Sequence, residues 1–166
     1  MKFDVQVKGL AEMERFLKTL PDEVSRKMLY GALMGGAKPI MDQAKANVRA
    51  NFGNSARFTG TLEESLVRGR QRKTGLAARV NVKIRKGKVK DHMVKAGVIK
   101  PHGDDAFYGR FLEFGTSKMP AYPFLKPAAD AKAGEATNRF RDTLMKRMGK
   151  WCKENGVVYR TYGGTS

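Results

Sequence analysis

The strongest restriction on the fold comes from a stretch rich in aromatic residues and prolines, residues 107–127 (FYGRFLEFGTSKMPAYPFLKP). Proline fixes its own φ and disfavours the helical region for the residue before it, so Pro120 and Pro123 predict an extended segment from Met119 to Tyr122. Pro123 also suits the first turn of a following helix, because the N–H that it lacks would have no intrahelical acceptor there. The stretch therefore predicts a stiff apolar corner that leads into a long C-terminal helix.

The first part of this stretch leaves two structures open. Residues 107–114 are compatible with a short helix or with a strand added to a sheet, because Gly109 and the surrounding aromatic side chains show no clear period. The function of the corner is open as well. It is either a packed elbow with a purely structural role or a surface that contacts another molecule.

Periodic apolar positions predict two long helices and a small sheet. Apolar residues recur at helical spacing over about 22–51 and 123–154, and the small residues and proline within 35–39 predict a kink in the first helix. Residues 78–84 alternate between apolar and polar or basic side chains, which is typical of a half-buried strand. Residues 93–99 are predicted to pair with that strand as an antiparallel hairpin.

These elements predict an α+β fold with a small antiparallel sheet packed against a long kinked helix and a long C-terminal helix. We expect a single domain over 1–156. The C-terminal tail, 157–166, is expected to add an edge strand to a neighbouring molecule or to remain loose. The segment 68–75 contains two glycines and four basic side chains, which predicts a mobile, solvated loop.

The positive charge of the chain is concentrated in its middle. The net charge is +17, and residues 66–103 hold 12 basic residues and one acidic residue. Such a local excess attracts polyanions, either DNA or an acidic protein ring, although a charged strand face can also serve only to prevent edge-to-edge aggregation. The predicted basic surface consists of Arg68, Arg70, Arg72, Lys73, Arg79, Lys83, Arg85, Lys86, Lys88 and Lys90.

No pattern in the sequence predicts catalysis. His92 and His102 are the only histidines, and neither lies in a spacing typical of a metal site. Cys152 is the single cysteine and has no neighbouring base that would activate it. We therefore expect no enzyme activity, no metal and no cofactor. The sequence also lacks an apolar run long enough for a membrane span, and its N-terminus has no apolar signal core.

The aromatic and proline-rich corner resembles the signature of a family of bacteriophage proteins, the gene-product-ten-like tail-completion (neck, or head–tail joining) proteins of long-tailed phages. In that family an aromatic residue leads into Glu-Phe-Gly-Thr, and a Met-Pro-Ala-x-Pro-Phe-Leu-x-Pro-Ala run follows. The residues that carry the resemblance, which are also the candidate interface, are Tyr108, Glu113, Phe114, Gly115, Thr116, Met119, Pro120, Ala121, Pro123, Phe124, Leu125 and Pro127.

This resemblance implies a structural virion protein that acts through its interfaces. It implies a ring of identical copies at the neck, with six-fold symmetry as a guess by analogy, between the head-closure or connector proteins and the tail terminator or tail tube. Assembly would take place in the host cytoplasm, and genome DNA would pass through the channel. The alternative is a stand-alone basic protein that binds nucleic acid. It is favoured by the charge but not by any stacking aromatic residue in 66–103.

Overall fold

The computed structural model describes residues 4–7, 10–55, 60–71, 78–85 and 106–161. These residues form five helices and four strands, which confirms the predicted α+β class with one small antiparallel sheet and two long helices. The elements are β1 (Asp4–Val7), α1 (Leu10–Thr19), α2 (Asp22–Phe52), α3 (Thr61–Ser65), β2 (Leu66–Gln71), β3 (Arg79–Ile84), α4 (Gly109–Phe114), α5 (Leu125–Glu154) and β4 (Val158–Thr161).

The chain divides into two compact units, each built from separate stretches of sequence. The first unit comprises Met1–Gly36, Arg70–Val80 and Thr137–Ser166, and the second comprises Ala37–Gly69 and Asn81–Ala136. Each unit has its own hydrophobic core, because the two buried clusters share no residue. The division into a domain over 1–156 and a tail stays a prediction.

The core of the first unit is built around the amphipathic helix α1. Its apolar positions fall at helical spacing, so one face is buried against the first part of α2 and the last part of α5. The ring of Phe16 meets that of Trp151 edge to face at a centroid distance of 5.9 Å. Burial also raises the pKa of the Cys152 thiol, which agrees with an inert core residue. The buried members are Met13, Phe16, Leu17, Leu20, Met28, Ala32, Leu144, Met148 and Cys152.

Small residues in α2 allow a close contact with α5 within the first unit. A Cβ atom on Gly35 would lie 2.9 Å from the Thr143 hydroxyl oxygen of α5. A Cβ atom on Gly31 would lie inside the space of the Arg147 guanidinium. Helix α2 is continuous and includes Pro39. The kink predicted near this residue stays a prediction.

The two ends of the described chain pair with each other. Strand β4 lies parallel to β1, with Asp4 opposite Val158 and Val7 opposite Thr161. The residues at 158–161 therefore pair within their own chain, an arrangement that the sequence reasoning on the tail did not consider.

Strand β2 lies where the sequence predicted a loop. Residues 68–71 belong to β2, so the loop prediction is wrong for them. The Arg85 N–H donates to the Ser65 carbonyl at 2.8 Å, while Gly69 lies against Lys83, so β2 and β3 run antiparallel. The predicted partner strand, 93–99, lies outside the described residues.

Candidate functional site

The predicted corner begins where α4 ends at Gly115. This glycine has a φ of 73°, and its N–H donates to the Phe111 carbonyl at 2.8 Å. A Cβ atom at this position would lie 3.0 Å from the Ala121 nitrogen and 3.0 Å from the Met119 carbonyl oxygen. Glycine is therefore required here both by the backbone conformation and by the lack of space.

Backbone hydrogen bonds hold the segment after Gly115 at both of its ends. Thr116 and Met119 exchange two N–H to carbonyl bonds, of 2.9 and 3.3 Å, across a tight turn. Further on, the Tyr122 N–H donates to the Leu112 carbonyl at 2.7 Å, which ties the chain back to α4. The segment between these bonds is not helical, in agreement with the prediction from its prolines.

The start of α5 is capped by a side chain from α4. The carboxylate of Glu113 is 7% exposed and accepts hydrogen bonds from the N–H groups of Phe124 (2.8 Å), Leu125 (2.9 Å) and Lys126 (2.9 Å). A helix leaves its first four N–H groups without an intrahelical acceptor, and the fourth residue here is Pro127, which has none to donate. Glu113 and Pro127 together account for every N–H at this helix end.

Phe124 anchors the same helix end in the core of the second unit. Its side chain is fully buried, and its carbonyl accepts a hydrogen bond of 3.0 Å from the Asn47 side chain on α2. The cluster around it consists of Ala44, Val48, Leu62, Leu66, Ala106 and Ala128. The start of α5 is thus held by both α2 and α4.

The structure divides the predicted interface residues between the interior and the surface. The buried residues hold the corner together, and the exposed ones are available for contact. Glu113 and Phe124 are buried; Tyr108, Gly115, Met119 and Leu125 are half-buried; Phe114, Thr116, Pro120, Ala121, Pro123 and Pro127 are exposed.

Three large hydrophobic side chains around the corner are exposed to solvent. Phe114 is 83% exposed, Phe107 is 68% exposed and Tyr122 is 46% exposed. Phe107 contacts the Tyr108 ring and Tyr122 contacts the Phe52 ring, each at 6.0 Å. Sequence reasoning did not select Phe107, because exposure depends on where the short helix α4 begins, and 107–114 showed no period. Exposed aromatic side chains of this size are typical of interaction surfaces.

The described basic residues on β3 form one face of that strand. Exposed Arg79, Asn81 and Lys83 alternate with half-buried apolar residues. The Lys83 side chain lies across Gly69, where a Cβ atom would be 2.7 Å from its Cε atom. The absence of a side chain on Gly69 therefore gives the Lys83 stem a place on the strand surface.

Of the other predicted basic residues, the structure describes Arg68, Arg70 and Arg85. The Arg70 guanidinium lies 5.7 Å from the centre of the Tyr30 ring, and Tyr30 donates a 2.5 Å hydrogen bond to the Gln71 carbonyl. Arg68 and Arg85 are half-buried. The remaining predicted positions, Arg72, Lys73, Lys86, Lys88 and Lys90, lie outside the described residues.

The described ranges contain no cluster of histidine, cysteine and acidic residues that could hold a metal ion. His92 and His102 are outside those ranges. Within the same part of the chain, no helix combines the length and apolar character needed to cross a bilayer.

Replacing Glu113→Gln is expected to lower the free energy of unfolding by about 1–3 kcal/mol. The amide supplies one acceptor oxygen in place of two and turns an N–H₂ group toward the N–H donors of α5. Urea denaturation measures the difference. Glu154→Gln, at the exposed last position of α5, is the control and should stay within about 0.5 kcal/mol of the unchanged protein. Equal stability of the two variants would contradict the capping role of Glu113.

Replacing Gly115→Ala is expected to destabilise the protein by about 1–3 kcal/mol, because alanine is strained at positive φ. Gly134→Ala is the matched control, since no atom lies within 4 Å of the added Cβ in the middle of α5. That control should stabilise the protein by about 0.5–1 kcal/mol. Thermal unfolding of both variants tests the pair, and a change of the same sign in both would reject the conformational argument.

Comparison with known proteins identifies the family of this chain. The sequence model of the HK97-gp10-like family, described as "Bacteriophage HK97-gp10, putative tail-component", matches residues 11–115. The match includes Tyr108 and 113–115 but ends before 116–127. No curated protein and no solved structure gives a significant match. Because the matched residues make up more than half of the chain, the protein belongs to the HK97-gp10-like family of phage tail components.

Proposed function

We propose that this protein is a structural subunit of the phage neck that forms a ring and joins the head connector to the tail. Membership in a family of phage tail components supports a structural role in the virion. In this proposal the protein acts through its interfaces and carries out no chemistry. It assembles in the host cytoplasm and remains at the neck of the finished particle.

The observation that carries the proposal is the rigid corner with its exposed aromatic side chains. The Glu113 cap and the Gly115 turn hold the backbone on both sides of Phe114, which is 83% exposed. A side chain held in place before binding loses less conformational entropy when it is buried in an interface. This arrangement suits a protein whose work is to pack against neighbours.

The partners in this proposal are copies of the same chain, proteins of the head closure or connector, and the tail terminator or tail tube. A ring of identical subunits uses two different surfaces for each contact, and the rotation between neighbours closes it. Six copies are proposed by analogy with the necks of long-tailed phages.

The basic face of β3 is proposed to contact either genome DNA in the channel or an acidic neighbouring ring. Arg79 and Lys83 are exposed there, and phosphate groups or carboxylates would pair with them. A stand-alone nucleic-acid-binding role is less well supported. The exposed positions of β3 are Arg79, Asn81 and Lys83, and none is an aromatic residue on which a base would stack.

Phage produced without this protein are expected to accumulate filled heads and separate, finished tails. The reason is that a missing neck ring removes the joint while leaving both parts able to assemble. Electron microscopy of lysates measures the two populations, and supplying the protein from a plasmid should restore joined particles. Normal virions in its absence would reject the neck function.

Changing Arg79, Lys83, Arg85 and Lys88 together to glutamine is expected to impair head–tail joining while circular dichroism shows an intact fold. The matched control changes four other basic residues, Lys27, Lys126, Lys146 and Lys153, to glutamine, which removes the same net charge from exposed positions. Counts of joined particles compare the two sets. Normal joining with the first set would mean that its charge serves only solubility, and equal impairment by both sets would point to net charge alone.

A further inference from the structure

The first unit contains an apolar groove that the core does not fill. Its floor and walls come from Met13 and Leu17 of α1, Leu29 of α2, and Phe140 and Leu144 of α5. The volume of the groove is about 320 Å³. An open groove with this lining keeps apolar surface in contact with water, which costs free energy unless another apolar group covers it.

A pair of charged residues forms the rim of this groove. Glu14 and Lys18, one helical turn apart on α1, are joined by an ion pair of 2.7 Å, and both side chains are largely exposed. The hydrogen bond from Lys18 and its positive charge hold the pKa of Glu14 below its ordinary value, so this carboxylate is ionised at neutral pH. The groove therefore combines an apolar floor with an exposed ion pair, Glu14 and Lys18, at its edge.

Phe114 has the shape and surroundings to enter such a groove. It is the most exposed of the three large hydrophobic residues, and among the described residues it has no ring partner, whereas Phe107 and Tyr122 each have one. Arg110 is exposed one turn earlier on α4, so it lies on the same face as Phe114. The protruding ring is thus accompanied by a cation.

We propose that Phe114 of one copy inserts into the groove formed by Met13, Leu17, Leu29, Phe140 and Leu144 of the next copy, with Arg110 placed beside Glu14 on its rim. The proposal rests on the proposed assembly of identical copies in the neck, and it names the surfaces that meet. The Phe114 side chain and the groove are different surfaces of the chain, so the contact is head-to-tail. Each contact leaves one Phe114 and one groove free for further copies.

The sizes of the two surfaces agree with this contact. A cavity of about 150 Å³ with an apolar lining is large enough to bind benzene. The groove of about 320 Å³ therefore has room for one phenyl ring and for part of the chain that carries it. The side chain of Phe114 is free to make such a contact, because 83% of its surface is exposed.

A second copy is also the occupant that the charges favour. The chain carries 33 basic and 16 acidic residues, so contact between two copies requires an acidic group near the approaching cations. Glu14 supplies such a group at the groove, where its Oε1 atom already pairs with Lys18, and Arg110 beside Phe114 would share the same carboxylate. Aromatic residues and arginine are both enriched at protein interfaces.

Cross-linking between two single-cysteine variants tests the contact. Lys18→Cys places a thiol at the groove rim, and Arg110→Cys places one beside Phe114. Both full-length variants are co-produced during phage assembly, and the particles are treated with a short bismaleimide. We expect linked pairs that contain one chain of each variant, and no linked pairs from either variant alone. The unchanged protein is the reagent control, since Cys152 is buried.

A further substitution separates the role of Phe114 from general proximity. Adding Phe114→Ala to the Arg110→Cys variant should lower the linked fraction on the order of tenfold, as expected for loss of an aromatic anchor. Phe107→Ala, at another exposed aromatic position, is the matched control and should leave the linked fraction unchanged. Equal effects of the two substitutions would overturn the assignment to Phe114.

The remaining outcomes distinguish this contact from the neck function. The same mixture is also treated as concentrated purified protein. Mixed pairs in solution, with none of the protein in particles, would support the contact and reject the neck function. Particles that contain the protein without mixed pairs would overturn the contact, as would linkage by Arg110→Cys alone, which indicates a symmetric contact. The absence of mixed pairs in both preparations would overturn the contact as well.

Discussion

The carboxylate of Glu113 accepts three N–H groups at the start of α5, and the geometry of the corner depends on this interaction. A buried carboxylate is costly unless its oxygens are hydrogen-bonded, and a helix start is costly unless its N–H groups have acceptors. Here the carboxylate oxygens are the acceptors for the N–H groups, and the N–H groups are the donors for the carboxylate. The positive end of the helix adds a favourable charge interaction. Pro127 completes the arrangement because it brings no N–H of its own.

The same constraint explains why an aromatic residue is held out in solvent. Glu113 must point inward to reach α5, so its neighbour Phe114 on the short helix α4 points to a different side. Gly115 then turns the chain through a conformation that other residues rarely adopt. An exposed phenylalanine between two constrained residues is a stable feature of the surface, and such a feature suits repeated contacts between identical subunits.

Charge and hydrophobic surface are distributed differently in this protein. The basic residues of β3 alternate with apolar ones, so strand geometry alone separates them onto opposite faces. The exposed aromatic residues depend instead on contacts that are distant in sequence, such as the contact between the rings of Phe52 and Tyr122. In this protein, local strand geometry therefore exposes the basic side chains, whereas tertiary contacts determine which aromatic side chains are exposed.

The sequence by itself determined the elements with strong periods, α2, α5 and β3, and the extended corner, because these follow from spacing and from proline geometry over short distances. It did not determine that 68–71 form a strand, since Arg68, Gly69 and Arg70 show no apolar alternation and acquire strand structure by pairing with β3. Nor did it predict that Glu113 caps α5, or that Phe114 and Phe107 are exposed. Those roles depend on donors and neighbours that only folding brings within hydrogen-bond or contact distance.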